Sequence, residues 1–168
     1  MKFKEVVNKI ESNSEFKSWK KENKEYYLAH GFKMLDKDND DVWQVGYYND
    51  KKDKMTTFYI EGDDIRMAED LNVFKKPEAN VKELKIEDVK IDVEKALGVA
   101  EEFQKEEYKG NEPVKAFFII QNLDIGPVFN ITYVTQTFST LNMKVCCKEG
   151  KVLKHKLTPL MQFGNVVK

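Results

Sequence analysis

The chain has 168 residues, 41% hydrophobic and 34% charged, with 28 basic and 29 acidic side chains that leave a net charge of −1. That balance excludes the long-range positive field that draws a protein to nucleic acid or an anionic membrane. Arg66 is the one arginine, so bidentate recognition of phosphate or guanine has almost nothing to work with. The length suits one domain or two small joined subdomains.

The chain begins with Phe3, Val6, Val7 and Ile10 at helical spacing, which predicts a short amphipathic helix and not a signal peptide. No apolar run approaches the roughly 20 residues that span a bilayer. If the chain is complete, a cytoplasmic location is expected. Ser12 followed by Glu15 predicts a capping box for a second helix with Phe16 and Trp19 on its apolar face, ending near Lys24. From Tyr26 to Leu35 the apolar residues alternate as in a half-buried strand, which puts His30 on the apolar side between Leu28 and Phe32.

The polar run Asp36 to Asp41 resembles the start of a calcium loop. Its sixth position is Asp41 where the loop needs glycine, and its twelfth is Tyr47 where a bidentate carboxylate belongs, so it reads as a solvated turn. Val42–Tyr48 and Lys54–Ile60 predict a hairpin. Pattern then weakens to about Lys90, with Lys75–Asn80 the best linker candidate. Asp92 is placed to cap a helix in which Val93, Ala96, Leu97, Ala100 and Phe103 share a face. Strands are predicted at Val114–Gln121, Val128–Thr137, Thr140–Cys147 and Lys151–Leu157, with a tight turn at Glu149-Gly150.

The second half of the chain echoes the first at an offset of about 87 residues. Glu15-Phe16 matches Glu102-Phe103, Leu35-Asp36 matches Leu123-Asp124, and Trp43, Val45 and Tyr47 match Phe129, Ile131 and Tyr133. The expected architecture is therefore α+β: two related helix-plus-antiparallel-sheet units of α-β-β-β type, with the helices on one side of the sheets. The expected boundaries are 1–65 for the first unit, 66–91 for a linker and 92–168 for the second.

The second unit resembles a PepSY domain. The resembling residues are the helix Asp92–Gln104, the strand Gly126-Pro127-Val128-Phe129-Asn130-Ile131-Thr132-Tyr133, and the hairpin Val145-Cys146-Cys147-Lys148-Glu149-Gly150-Lys151-Val152-Leu153. Cys146 or Cys147 stands where that family usually has aspartate, and Glu149 where it often has threonine. The first unit fits the pattern less closely. The resemblance implies a helix packed on an antiparallel sheet and non-catalytic binding or inhibition. It carries no catalytic residue and no cofactor.

Reactive side chains are few. Cys146 and Cys147 are adjacent, and strand neighbours point to opposite faces, so two reduced thiols are expected in place of a disulfide. Counting outward from the Gly150 turn puts His155 near Val145–Cys146, which leaves a thiol–imidazole pair geometrically open. The two histidines and two cysteines lack metal-ligand spacing, and no metal or cofactor is expected. On the first unit's strands Trp43 shares a face with Val45 and Tyr47, while Tyr48 shares the other with Gln44 and Gly46. Asn130 and Thr132 form a polar face in the second unit. The candidate binding residues are thus Trp43, Tyr48, His30, Asn130, Thr132, Cys147 and His155. The expected function is a binding module for a protein or peptide, working by sheet surface or edge as a monomer or small homo-oligomer, without nucleic acid or membrane. The alternative is a small-ligand binder or hydrolase with a pocket between the units.

Overall fold

The structure, a computed structural model, describes residues 1–36, 38, 41–72 and 80–161, with backbone alone for 69–72. The run read as a calcium-like turn includes 37, 39 and 40, and the linker candidate includes 75–79; these residues lie outside the described ones.

Helices α1 (Phe3–Ser12) and α2 (Ser14–Glu22) precede four strands, β1 (Tyr27–Met34), β2 (Val42–Asn49), β3 (Lys54–Glu61) and β4 (Asp64–Asn72). Helix α3 (Val93–Glu107) precedes four more, β5 (Pro113–Leu123), β6 (Gly126–Thr135), β7 (Ser139–Cys146) and β8 (Val152–Pro159). The fold is α+β, but the two expected sheets are one. All eight strands form a single antiparallel sheet in the order β4-β3-β2-β1-β5-β6-β7-β8. Each meander starts from a strand whose outer edge would expose unpaired N–H and C=O groups. Pairing β1 with β5, in the register His30 to Gln121, Phe32 to Ile119 and Met34 to Phe117, removes both edges at once.

The helices supply one continuous core with the inward face of the sheet. Phe3, Val6, Val7 and Ile10 of α1 are at most 2% exposed. Gly31 makes the approach of α1 to the sheet feasible, because a Cβ there would stand 2.2 Å from the Phe3 ring. Helix α2 is capped by Asn13 rather than Ser12: the Asn13 side chain accepts from the Glu15 and Phe16 amides at 2.8 and 3.4 Å. Its Trp19 packs edge-on against Tyr47 and Phe58, and its Phe16 edge-on against Phe58 and tilted against Tyr47. Asp92 caps α3 as expected, accepting from the Lys95 amide at 3.0 Å. Val93, Ala96 and Ala100 then turn inward. A buried side chain of leucine or phenylalanine size contributes about 1.5–3 kcal/mol, so this core is the chief source of cohesion.

Two irregularities alter what the alternation pattern implied. The ladder between β1 and β2 shifts between Leu28 and His30. This bulge leaves Leu28 in the helix-side core and sends His30 and Phe32 to the opposite face, so the expected shared apolar side is broken. In the β7–β8 hairpin the Cys146 amide donates to the Lys151 carbonyl and the Gly150 amide to the Cys146 carbonyl. Gly150 has the positive φ expected of it, 73°. The turn is centred earlier than expected, and His155 pairs with Met143 instead of lying near Cys146.

The segment read as a linker is largely built into the fold. It opens with the rest of β4, which extends to Asn72. Further on, Val81 packs with Ala29, Tyr48 and Met55 on the face away from the helices. Three residues later Leu84, only 1% exposed, lies in the helix-side core, and its amide donates to the Leu28 carbonyl at 2.8 Å. The chain thus passes from one face of the sheet to the other at the start of β1, ahead of its pairing with β5. The Lys90 and Ile91 amides then share the Cys147 carbonyl at 2.9 and 3.0 Å, which anchors the approach to α3.

Candidate binding face

One face of the sheet carries all three helices, and the other carries none among the described residues. Strand alternation dictates what the second face displays. Running from β1 toward β8, one row reads Phe32, Ile119, Asn130, Lys144, Lys154. The neighbouring row reads Met34, Phe117, Thr132, Asn142, Lys156. The apolar members in the middle are only half-buried, and the Phe32 and Phe117 rings lie 5.9 Å apart. The face therefore grades from aromatic at the centre, through amide and hydroxyl, to cationic at the β8 edge.

The polar part of this face is tightly bonded. The Asn142 amide nitrogen donates to Asn130 Oδ1 at 2.6 Å and to Thr132 Oγ1 at 3.0 Å. Lys144 Nζ donates to Asn142 Oδ1 at 2.6 Å. Burial, reinforced by the positive charge of Lys154, pulls the Lys144 ammonium below its ordinary pKa. Lys144 and Lys154 are direct register partners. A shallow groove of about 390 Å³ follows this edge, lined by Asn142, Lys144, Leu153, Lys154, His155 and Lys156.

The candidates from the sequence separate into three places. Asn130 and Thr132 lie on the open face, within the bonded strip. His30 and Tyr48 share that face nearer its other half, where His30 lies over Gly46 and Tyr48 donates to Asp53. Burial lowers the His30 pKa to about 4, which keeps it neutral. Trp43 and Cys147 belong to the helix-side core at 4% and 0% exposure. Trp43 packs against Phe3 and Phe118, and Lys33 Nζ sits 5.5 Å from its ring centre.

Burial, with smaller contributions from Cys146 and Asp88, raises the Cys147 pKa to about 12, so a thiolate at neutral pH is disfavoured. His155 packs on Phe103, and its Nδ1 is 2.6 Å from the Tyr108 hydroxyl. Cys147 is four residues along the chain from His155's register partner Met143, about 13 Å at strand rise. The expected closeness of His155 to the cysteine pair is therefore absent. Among the described residues no cluster of three or more His, Cys, Asp or Glu could hold a metal ion.

The alternation in the sequence contains the residues that were missed. Leu141, Met143 and Val145 face the helices, so Asn142 and Lys144 must face away. Only the β6–β7 register reveals that they lie beside Asn130 and Thr132.

A second concavity lies on the helix side. This cleft of about 450 Å³ is bordered by α1, α2, the start of β1 and residues 83–87. Within it Tyr47 donates to Glu11 Oε1 at 3.1 Å. Burial lowers the Lys20 pKa against the opposing pull of Glu11 and Glu83.

The class defined by this geometry is an α+β protein with one eight-stranded antiparallel sheet, helices on one side and, among the described residues, no helix on the other. No family model matches the chain, and no curated protein does. A solved structure from Clostridium difficile 630, described as a "putative lipoprotein", is similar over 94% of this chain and 93% of its own, with a TM-score of 0.57 and 14% identity. At that identity the likeness is one of fold. Among the described residues no helix is long and apolar enough to cross a membrane.

Proposed function

We propose that this protein is a non-catalytic binding module that engages a protein or peptide partner through the open face of its sheet. The observation that carries the reading is the join of half-buried Phe32, Phe117 and Ile119 with the bonded Asn130–Thr132–Asn142 strip. Apolar and orienting polar groups there share one face of the sheet, with no covering helix among the described residues. The PepSY resemblance of the second half belongs to the same reading, since it implies binding without catalysis. Duplication of an ancestral unit is proposed with it. Its support is that each half runs from helix into a four-strand meander, with Trp43, Val45 and Tyr47 and their counterparts Phe129, Ile131 and Tyr133 all facing the helices.

The test is affinity capture from the native host with three forms of the protein: wild type, Phe117→Glu on the open face, and Glu102→Ala on exposed α3. A partner held by wild type and Glu102→Ala but lost by Phe117→Glu supports the reading. A partner retained equally by all three moves the interface elsewhere.

The second reading is a small-ligand binder using the helix-side cleft. Convergence of the Glu11, Lys20 and Tyr47 side chains there favours it. Saturable ligand binding abolished by Tyr47→Phe, with partner capture unaffected by Phe117→Glu, would select it. A cytoplasmic location is proposed from the sequence. The description of the similar Clostridium protein as a lipoprotein is the observation against it, and cell fractionation decides.

A further inference from the structure

The hydrogen bonds of the open face fix which way its amide groups point. Lysine has donors only, so the bond from Lys144 requires Asn142 to present its oxygen there. The Asn142 nitrogen is then the donor to Asn130 and Thr132. Asn130 must in turn give its oxygen to Asn142, which leaves its NH₂ group outward. The Thr132 oxygen is likewise engaged as acceptor, which leaves its hydroxyl hydrogen free to donate. One donor-only residue thereby orients the whole row.

Asn130 Oδ1, Thr132 Oγ1 and Asn142 Oδ1 each already accept one bond, and the donors left along the strip are Asn130 N–H, Thr132 O–H and the ammonium groups of Lys144, Lys154 and Lys156. Like charges directly opposed across a ladder are destabilising, and Lys144 faces Lys154. None of the ion pairs among the described residues includes Lys144, Lys154 or Lys156. Asp124, the carboxylate that feels Lys154, is bonded to Lys82 at 2.8 Å.

We infer that the open face takes an acidic polypeptide segment, its carboxylates on the Lys144–Lys154–Lys156 edge and an apolar side chain over Phe117 and Ile119. This inference rests on the open-face reading above. A polypeptide fits better than a lone phosphate or a lipid headgroup because the cations and the half-buried rings lie on one face, separated by the Asn130–Thr132 row. From β5 to β7 and β8 is about 10 and 14 Å at two and three strand spacings. An extended chain crossing the strands advances about 7 and 14 Å in two and four residues, both on the same side, and the length of a glutamate side chain makes up the shortfall at the nearer lysine.

The probe is a fluorescein-labelled peptide with phenylalanine followed at the second and fourth positions by glutamate, compared with its glutamine counterpart. Binding is read by anisotropy at low salt. The glutamate peptide is expected to bind about tenfold more tightly, from two exposed ion pairs each supplying up to about fivefold. Lys144→Gln/Lys154→Gln should remove most of that difference, as should raised salt. Lys154→Gln/Lys156→Gln, confined to the exposed edge strand, should do the same without touching the Asn142 network.

Equal affinity for both peptides overturns the acidic assignment. The open-face reading then survives if Phe117→Ala weakens both. No binding of either peptide at millimolar concentration also overturns the assignment, and partner capture judges the face separately. Tighter binding of inorganic phosphate or of phosphatidylglycerol vesicles, lost in the same lysine variants, overturns it in favour of phosphate or membrane.

Discussion

The imidazole of His30 occupies the space above Gly46, its register partner on β2: a Cβ at Gly46 would stand 2.2 Å from His30 Cε1. The glycine is thus required by close approach rather than by a turn, and the bulge beside Leu28 is what sends the histidine there. Gly46→Ala is expected to cost about 1–3 kcal/mol through overpacking. Adding His30→Ala should recover most of the loss, since alanine otherwise suits a strand better than glycine. Urea denaturation of the two single variants and the double closes the cycle, and simple additivity would refute the contact.

The same histidine makes stability depend on pH. Its folded pKa of about 4 lies below the ordinary value of 6.5, so between those limits the unfolded chain binds the extra proton. Stability from this group is complete above pH 6.5 and is lost as pH falls toward 4, up to about 3 kcal/mol. Carboxylates titrate nearby in pH, so the comparison that isolates His30 is wild type against His30→Gln. The difference between their unfolding free energies should change across that window and be flat above pH 7.

Thr56 is fully buried on β3, and its hydroxyl has no hydrogen-bond partner among the described residues. Valine has nearly the same shape without the hydroxyl to desolvate. Thr56→Val should therefore stabilise the protein by about 1 kcal/mol. A loss of stability in thermal unfolding would mean the hydroxyl is satisfied after all.

Phe138, in the β6–β7 connection, has a φ of 55° and is 74% exposed. A bulky residue in the left-handed region costs about 1–2 kcal/mol, whereas asparagine tolerates it. Phe138→Asn is expected to raise stability by about 0.5–1 kcal/mol, roughly 1–4 °C in Tm for a chain of this size. An unchanged or lower Tm would show that the ring makes a stabilising contact.

Leu84 tests whether the connection between the two meanders is structural. At 1% exposure within the helix-side core, Leu84→Ala should cost about 2–5 kcal/mol. A cost below about 0.5 kcal/mol, measured by chemical denaturation, would restore the reading of this stretch as a passive linker.

The sequence disclosed most where one physical period dominated. Phe3, Val6, Val7 and Ile10 mark a helix face without help from elsewhere, and Leu141, Met143 and Val145 do the same for a strand. Strand β4 was missed because an edge strand faces the core with few residues. Its Ile65 and Met67 are separated by Arg66 and preceded by Asp63 and Asp64. Bulges were invisible too: nothing in Leu28-Ala29-His30 announces that the alternation breaks. The binding face was half visible, since Asn130 and Thr132 stand out on β6, but Asn142 and Lys144 join them only through inter-strand register. The single sheet was least accessible of all, because β1 and β5 find each other across most of the chain.

That last pairing orders events in time. Every other ladder in the sheet links consecutive strands, whose hairpins close short loops. The β1–β5 ladder joins His30 to Gln121, a closure whose entropic cost must be met before its contacts repay it. Loop-closure entropy alone therefore favours formation of the two meanders before the central seam. A half-sheet standing without that seam would present β1 or β5 as an open edge, ready to pair with another chain.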